Sequence, residues 1–192
     1  MVPREIRGPR RFDTTPGLRA ELDHLAPSFR FAVHAAVEAY ERAGVRYALI
    51  GGVAAGAYGQ PRATKDVDFL VGDEAFDTVG AVISFKPGIP LEAHGVPIDS
   101  IPLNVGYRQL YVRALDERTE CDEPDVLIAR PEMVAVTKLV GGRPHDITAV
   151  VEMTQAGTLD LDELEKIVRP YAKLRLAFAR ARREYEQEDD RG

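Results

Sequence analysis

Asp66 and Asp68 stand two positions apart in the run TKDVDFLVG, alternating with Val67 and Phe69. On an extended strand successive side chains point to opposite faces, so this pattern sets both carboxylates on one face and the apolar pair on the other. Two carboxylates held that close repel each other unless a hard cation sits among them. Mg²⁺, or Mn²⁺ in its place, suits such a pair, because it takes one or two protein carboxylates and fills its other positions with phosphate oxygens and water. A third carboxylate, Asp99 in GVPIDSIPL, would complete a two-metal site able to steady an attacking and a leaving oxygen.

The segment IGGVAAGAYGQPRATK lies just upstream. Gly51 and Gly52 end an apolar run and open a helical one, a geometry whose free backbone N–H groups can cradle phosphate. Arg62 and Lys65 add positive charge immediately before the carboxylates, as a triphosphate site requires. Taken singly, an Asp-x-Asp also fits a solvent-facing strand, and a glycine pair also fits a tight turn. Their conjunction is what points to metal and nucleotide.

These residues need elements to hold them. Apolar residues recur at helical spacing from Leu18 to Ala43, with Pro27 and Ser28 placed to split the stretch and Gly44 placed to cap it. VRYALIGG reads as a first strand, Val53 to Tyr58 as a short helix, TKDVDFLVG as a second strand and GVPIDSIPL as a third. The two prolines of the third make it an edge or short strand. Glu74 to Phe85 suits a helix, while Gln109 to Leu115 and Asp125 to Ile128 are strand candidates. PEMVAVTKLV is a helix with proline in its first turn and a glycine pair at its end. Ile147 to Met153 and Leu161 to Ala181 are further helices, the latter interrupted at Pro170. The order predicts an α/β (α+β) protein, with a mixed sheet flanked by helices and a helical C-terminal part. It divides into a mobile arm at 1–17, a core at 18–130 and helices at 131–192.

The bulk properties set limits. The 192 residues are 45% hydrophobic and 29% charged, the balance of a globular chain. No run approaches the ~18 apolar residues of a membrane span, and the first residues lack the apolar stretch of a signal peptide, so a cytoplasmic protein without a membrane partner is expected. The single cysteine, Cys121, lies between Glu120 and Asp122, neighbours that disfavour a thiolate nucleophile. His24, His34 and His94 share no ligand spacing, and His145 reads as an exposed turn residue. The net charge of −6 argues against general nucleic-acid affinity. Arg175, Arg180, Arg182 and Arg183 nevertheless cluster near the C-terminus, either as a solvated helix face or as a contact for RNA or protein.

The pattern Ile50-Gly51-Gly52, Asp66-Val67-Asp68-Phe69 and Ile98-Asp99-Ser100 resembles the nucleotidyltransferase (polymerase-beta-like) superfamily. GGVAAGAYGQPRATKDVDFLV and PEMVAVTKLVGGRPHDITAVVEM look most like the AbiEii-type group of bacterial abortive-infection toxins, with Lys138, Arg143 and Asp146 at matching positions. The resemblance implies transfer of a nucleoside monophosphate from a triphosphate such as ATP to a hydroxyl, with tRNA a possible acceptor and an antitoxin protein a possible partner. It implies that Gly51 and Gly52 hold the triphosphate, that Asp66, Asp68 and Asp99 are catalytic and bind metal, and that Lys138 contacts phosphate. Arg143 and Asp146 would shape the nucleotide pocket. The sequence departs from the group at Ser100 and the nearby prolines, where an apolar strand is usual, and at Ala149, where related proteins often carry an acidic residue. Two other readings stay open: a non-catalytic nucleotide-binding module, and a transferase acting on a small antibiotic.

Overall fold

The computed structural model describes residues 16–79, 82–103 and 106–189. Most of the arm expected at 1–17 lies outside these residues. Its last two positions, Pro16 and Gly17, are described, and the Gly17 N–H donates to the carbonyl of Ala57 at 3.0 Å.

In chain order the elements are α1 (Leu18–His24), α2 (Pro27–Arg42), β1 (Tyr47–Ile50), α3 (Gly51–Tyr58), β2 (Val67–Val71), a 3₁₀ turn (Asp73–Ala75), β3 (Phe76–Val79), β4 (Val82–Phe85), β5 (Glu92–Ala93) and β6 (Val96–Ile101). There follow α4 (Arg108–Asp116), β7 (Thr119–Glu120), β8 (Leu127–Ile128), α5 (Pro131–Gly141), α6 (Pro144–Gln155), α7 (Leu161–Val168) and α8 (Ala172–Asp189). Six strands form one mixed sheet in the order β5-β6-β2-β1-β8-β7, and β3 pairs with β4 in a separate ribbon. The chain is therefore a mixed α/β protein. Among the described residues no helix is long and apolar enough to cross a membrane.

β2 lies at the centre of the site. It runs antiparallel to β1, with Ile50 opposite Asp68, and parallel to β6, with Asp68 opposite Asp99. The third strand is thus no edge strand, because β5 covers its far side through Glu92–Pro97 and Ala93–Val96 pairing. Behind the sheet, Tyr40 of α2 packs edge-on against Phe69 and shares a 2.7 Å hydrogen bond between its hydroxyl and the Ser100 Oγ. That bond accounts for a polar residue next to Asp99: Ser100 is buried and satisfied from the rear face.

Two further sequence expectations are overturned. The described residues of 74–85 form no helix but a short 3₁₀ turn followed by the antiparallel strands β3 and β4, in which Phe76 pairs with Phe85 and their rings stack with centroids 4.8 Å apart. The β-branched content of this stretch suits a pleated ribbon better than a helix. Conversely, 109–115 is no strand. Leu110, Tyr111, Ala114 and Leu115 form the buried stripe of α4, a spacing of one helical face. In α1–α2 the split occurs where Pro27 begins the second helix, and α5 ends on Gly142 at φ 65°, the left-handed cap that favours glycine.

α1 carries an anomaly in its core-facing stripe of Leu18, Glu21 and Leu22. Glu21 is fully buried and its carboxylate lies over Gly56 of α3, where an added Cβ would come within 2.3 Å of it. Neither of its oxygens meets a well-formed hydrogen-bond partner. Burial pushes its carboxyl up to about 7 from 4.5, against the weaker downward pull of the Arg62 backbone and charge. Because the folded value lies above the unfolded one, the folded chain holds the proton longer, so stability falls as pH rises from 4.5 to about 7. The deficit above that window is on the order of 3 kcal/mol. Glu21→Gln is expected to raise the thermal midpoint at pH 8 and to converge with the parent below pH 4.5, as read by denaturation at the two pH values.

Candidate active site

The ladder builds the site from three neighbouring strands. β2 places Asp68 half-buried between buried Val67 and Phe69, as the alternation requires. Asp66 sits one residue before the strand begins, and the Thr64 hydroxyl holds it, donating to both its Oδ1 and its carbonyl at 3.2 Å. Asp99, on the exposed face of β6, is brought into register with Asp68. Burial raises the Asp68 carboxyl above its ordinary range. The charges of Asp66 and Asp99 push the same way, while Lys138 and the Gly52 N–H oppose them. The three acids thus form a concentration of negative charge that the chain offsets only in part.

The glycine pair fits closely against these acids. Gly51 adopts φ +72°, and a Cβ there would lie 1.8 Å from the Asp68 Oδ2, so no other residue fits without moving the carboxylate. A Cβ on Gly52 would lie 2.8 Å from the Thr64 Oγ1. α3 starts here with no side chain capping it, which leaves its first N–H groups, apart from that of Gly52, to an anion.

The cations come from α5, α6 and the turn between them. Asp146 is 1% exposed and is the hub: its Oδ2 accepts from Arg143 Nε at 2.8 Å and from the Arg143 backbone N–H at 3.2 Å. Lys138 Nζ lies 3.5 Å from its Oδ1, and the His145 ring lies 3.6 Å from the same oxygen. Burial alone would raise the Asp146 carboxyl, but the Arg143 hydrogen bonds and the Lys138 charge outweigh it and leave the group below the usual carboxylate range. The Arg143 guanidinium is raised chiefly by Asp146, and also by the charges of Asp68 and Asp66. A Cβ on Gly141 would meet the Asp146 Oδ2 at 2.6 Å, so this glycine permits the close approach.

Of the sequence candidates, Gly51, Gly52, Asp66, Asp68 and Asp99 are adjacent, and Lys138 and Arg143 act on the carboxylates electrostatically. Asp146 faces these two cations from a buried position. Lys65 is exposed one residue before Asp66. Arg62 is engaged elsewhere, with its Nη1 donating to Glu152 of α6 at 3.2 Å. Sequence reasoning did not single out Thr64, whose position two residues before Asp66 was the available signal, nor Gly141. Burial pushes the Cys121 thiol up to about 11, which disfavours a thiolate there.

Among the described residues no three carboxylate, thiol or imidazole groups already converge into a metal cage. The donor set is hard oxygen beside a helix start that no side chain caps. That arrangement fits Mg²⁺ or Mn²⁺ arriving with a triphosphate rather than an all-protein site.

No family model matches the chain, and no curated protein sequence matches it. Among solved structures the chain is similar to an antigenic nucleotidyltransferase-like protein from Paracoccidioides brasiliensis, at 18% identity over 80% of this chain and 93% of that one, with a TM-score of 0.44.

Asp146→Asn keeps the shape but removes the charge that holds two cations. It is expected to cost about 2–4 kcal/mol in chemical denaturation, less than the ~3–5 kcal/mol of a fully buried pair because the Arg143 side chain is 65% exposed, and more than Asp146→Glu, whose longer acid keeps the charge.

Proposed function

We propose that the chain is a metal-dependent nucleotidyltransferase that moves a nucleoside monophosphate from a nucleoside triphosphate to an acceptor hydroxyl. The observation that carries this reading is the register of Asp68 with Asp99 on adjacent strands, with Gly51 pressed against the Asp68 carboxylate. That juxtaposition sets acids for cations and N–H groups for phosphate on the same spot.

The triphosphate lies at the start of α3, where Gly51 and Gly52 let the backbone approach. Lys138 and Arg143 counter the phosphate charge from the α5–α6 side. Asp99 accepts the proton of the acceptor hydroxyl as that oxygen bonds to the α-phosphorus. The bond from this phosphorus to the oxygen bridging it to the β-phosphate breaks, and pyrophosphate leaves. Bound Mg²⁺ or Mn²⁺, held by Asp66, Asp68 and Asp99, supplies neutralisation of charge on the phosphoryl oxygens. No nucleophilic side chain is needed.

An RNA acceptor such as tRNA, and a toxin role countered by an antitoxin protein, are supported by the sequence resemblance alone. A small cationic acceptor is the competing substrate, which the acidic net charge of −6 favours. Incubation with Mg²⁺, labelled triphosphates and total RNA is expected to move label into RNA. Asp68→Asn should lower the rate at least about a hundredfold while leaving the circular dichroism spectrum unchanged. Normal transfer by that variant would sink the assignment.

A further inference from the structure

Glu21 is a fully buried acid that the chemistry above leaves unused. Its helix packs on α3 and α2. α3 brings no charge to it, since GGVAAGAY holds one titratable side chain, Tyr58, whose hydroxyl donates to the Ala129 carbonyl at 2.9 Å. On α2, Arg30 pairs with Asp23 and Glu123, His34 pairs with Glu123, and the other charged residues are exposed. On α1 itself Arg19, Asp23 and His24 are exposed. The charge that acts on Glu21 is that of Arg62, in the loop between α3 and β2.

Arg62 therefore stands between two acids. Its Nη1 donates to Glu152 of α6 at 3.2 Å, while its Nε and Nη2 make no hydrogen bond among the described residues. A planar guanidinium has donors enough for a second carboxylate. The arrangement observed, with Arg62 on Glu152 and both Glu21 oxygens without a hydrogen bond, is one that a protonated Glu21 tolerates. An ionised Glu21 would be a buried charge without a partner, a costly state that Arg62 is placed to relieve.

The loop carries this competition to the candidate active site. Asp68 and Asp99 are locked into the strand ladder, but Asp66 precedes β2 and is held by the Thr64 hydroxyl. At the start of the loop Gly59 sits so close to α6 that an added Cβ would meet the Met153 nitrogen at 3.2 Å. Between that fixed point and β2, the Arg62–Glu152 pair holds the loop to α6. Two of the three acids are thus set by the sheet, and the third by an ion pair for which Glu21 competes.

We infer that Glu21 is a proton-operated positioning residue: protonated, it leaves Arg62 on Glu152 and Asp66 in place, and ionised, it draws Arg62 away and withdraws Asp66 from a bound metal. The inference rests on the transferase reading, which assigns Asp66 to the metal. Because the folded carboxyl loses its proton only at about 7, the metal-ready state lies below that pH and fades as pH rises through it.

The test reads the exchange and its consequence separately. In the metal-free chain, NMR titration of the Glu21 carboxyl carbon and of the Arg62 Nε–H is expected to give one common midpoint. Glu152→Gln should lower that midpoint, because it frees Arg62 to pair with Glu21. In a second arm, Mn²⁺ with a methylene-bridged ATP analogue is titrated into the parent and into Glu21→Gln, which stays neutral. The affinity of Glu21→Gln relative to the parent is expected to be near one at pH 6 and about fivefold higher at pH 8. An Arg62 resonance that stays fixed while Glu21 titrates overturns the inference. Equal affinities at pH 8, with both chains binding the metal and the analogue, also overturn it and leave the transferase reading intact. Binding by neither chain at either pH overturns the transferase reading and with it the effect on the metal, while a common midpoint would still uphold the exchange of Arg62 between the two acids.

Discussion

Like-charge repulsion among Asp66, Asp68 and Asp99 is the constraint around which the rest of the chain is arranged. Left to themselves these carboxylates would separate or protonate. The backbone prevents separation: the β1–β2–β6 ladder fixes Asp68 beside Asp99 through main-chain hydrogen bonds that are indifferent to side-chain charge. Its rigidity comes from behind, where Tyr40, Tyr47 and Phe69 pack ring against ring and Ser100 is held by the Tyr40 hydroxyl. The apolar face therefore stabilises an arrangement that the polar face opposes.

Partial compensation is as informative as the repulsion. If Lys138 and Arg143 were paired directly with Asp66 and Asp68, the acids would be neutralised and a divalent cation would gain little by binding. Instead Asp146 draws both cations to itself and leaves their charge acting on the acids only across space. The cost of burying Asp146 is offset by Arg143 and Lys138 together with a backbone N–H, so the hub is stable only as a set. Gly51 and Gly141 each remove a side chain where a carboxylate must approach the backbone, one in each half of the site.

Much of this was legible in the sequence for a physical reason. Alternation of Asp with Val and Phe has one structural solution on a half-buried strand, and the glycine pair marks where that sheet meets a helix. The helix boundaries at Pro27, Pro131 and Gly142 follow from chemistry local to each residue, whereas α6 begins at Pro144, three residues before the start read from the sequence. What was not legible depends on partners distant in sequence. The β3–β4 pair has apolar residues that fit either period, and only the Phe76–Phe85 pairing decides between them. α4 contains Tyr111 and Val112, good strand formers, yet is a helix because Leu110, Tyr111, Ala114 and Leu115 share a buried face. Arg62 looked like a phosphate ligand from its place before the acids, and its pairing with Glu152 lies 90 residues away along the chain.

Arg62 also shows how the second half of the chain bears on the first. The stretch between α3 and β2 carries Thr64 and Asp66 and has no regular structure of its own. Thr64 fixes it to Asp66 locally, Arg62 fixes it to α6 through Glu152, and the charge of the same guanidinium acts on the buried Glu21 of α1. One cation thus ties the loop that carries Thr64 and Asp66 to a late helix and acts on an early one. Since α6 also carries Asp146, the position of the acids and the position of the cations are set by the same helix. The C-terminal helices are therefore part of the machinery that spaces positive from negative charge across the site, rather than an appendage to the sheet.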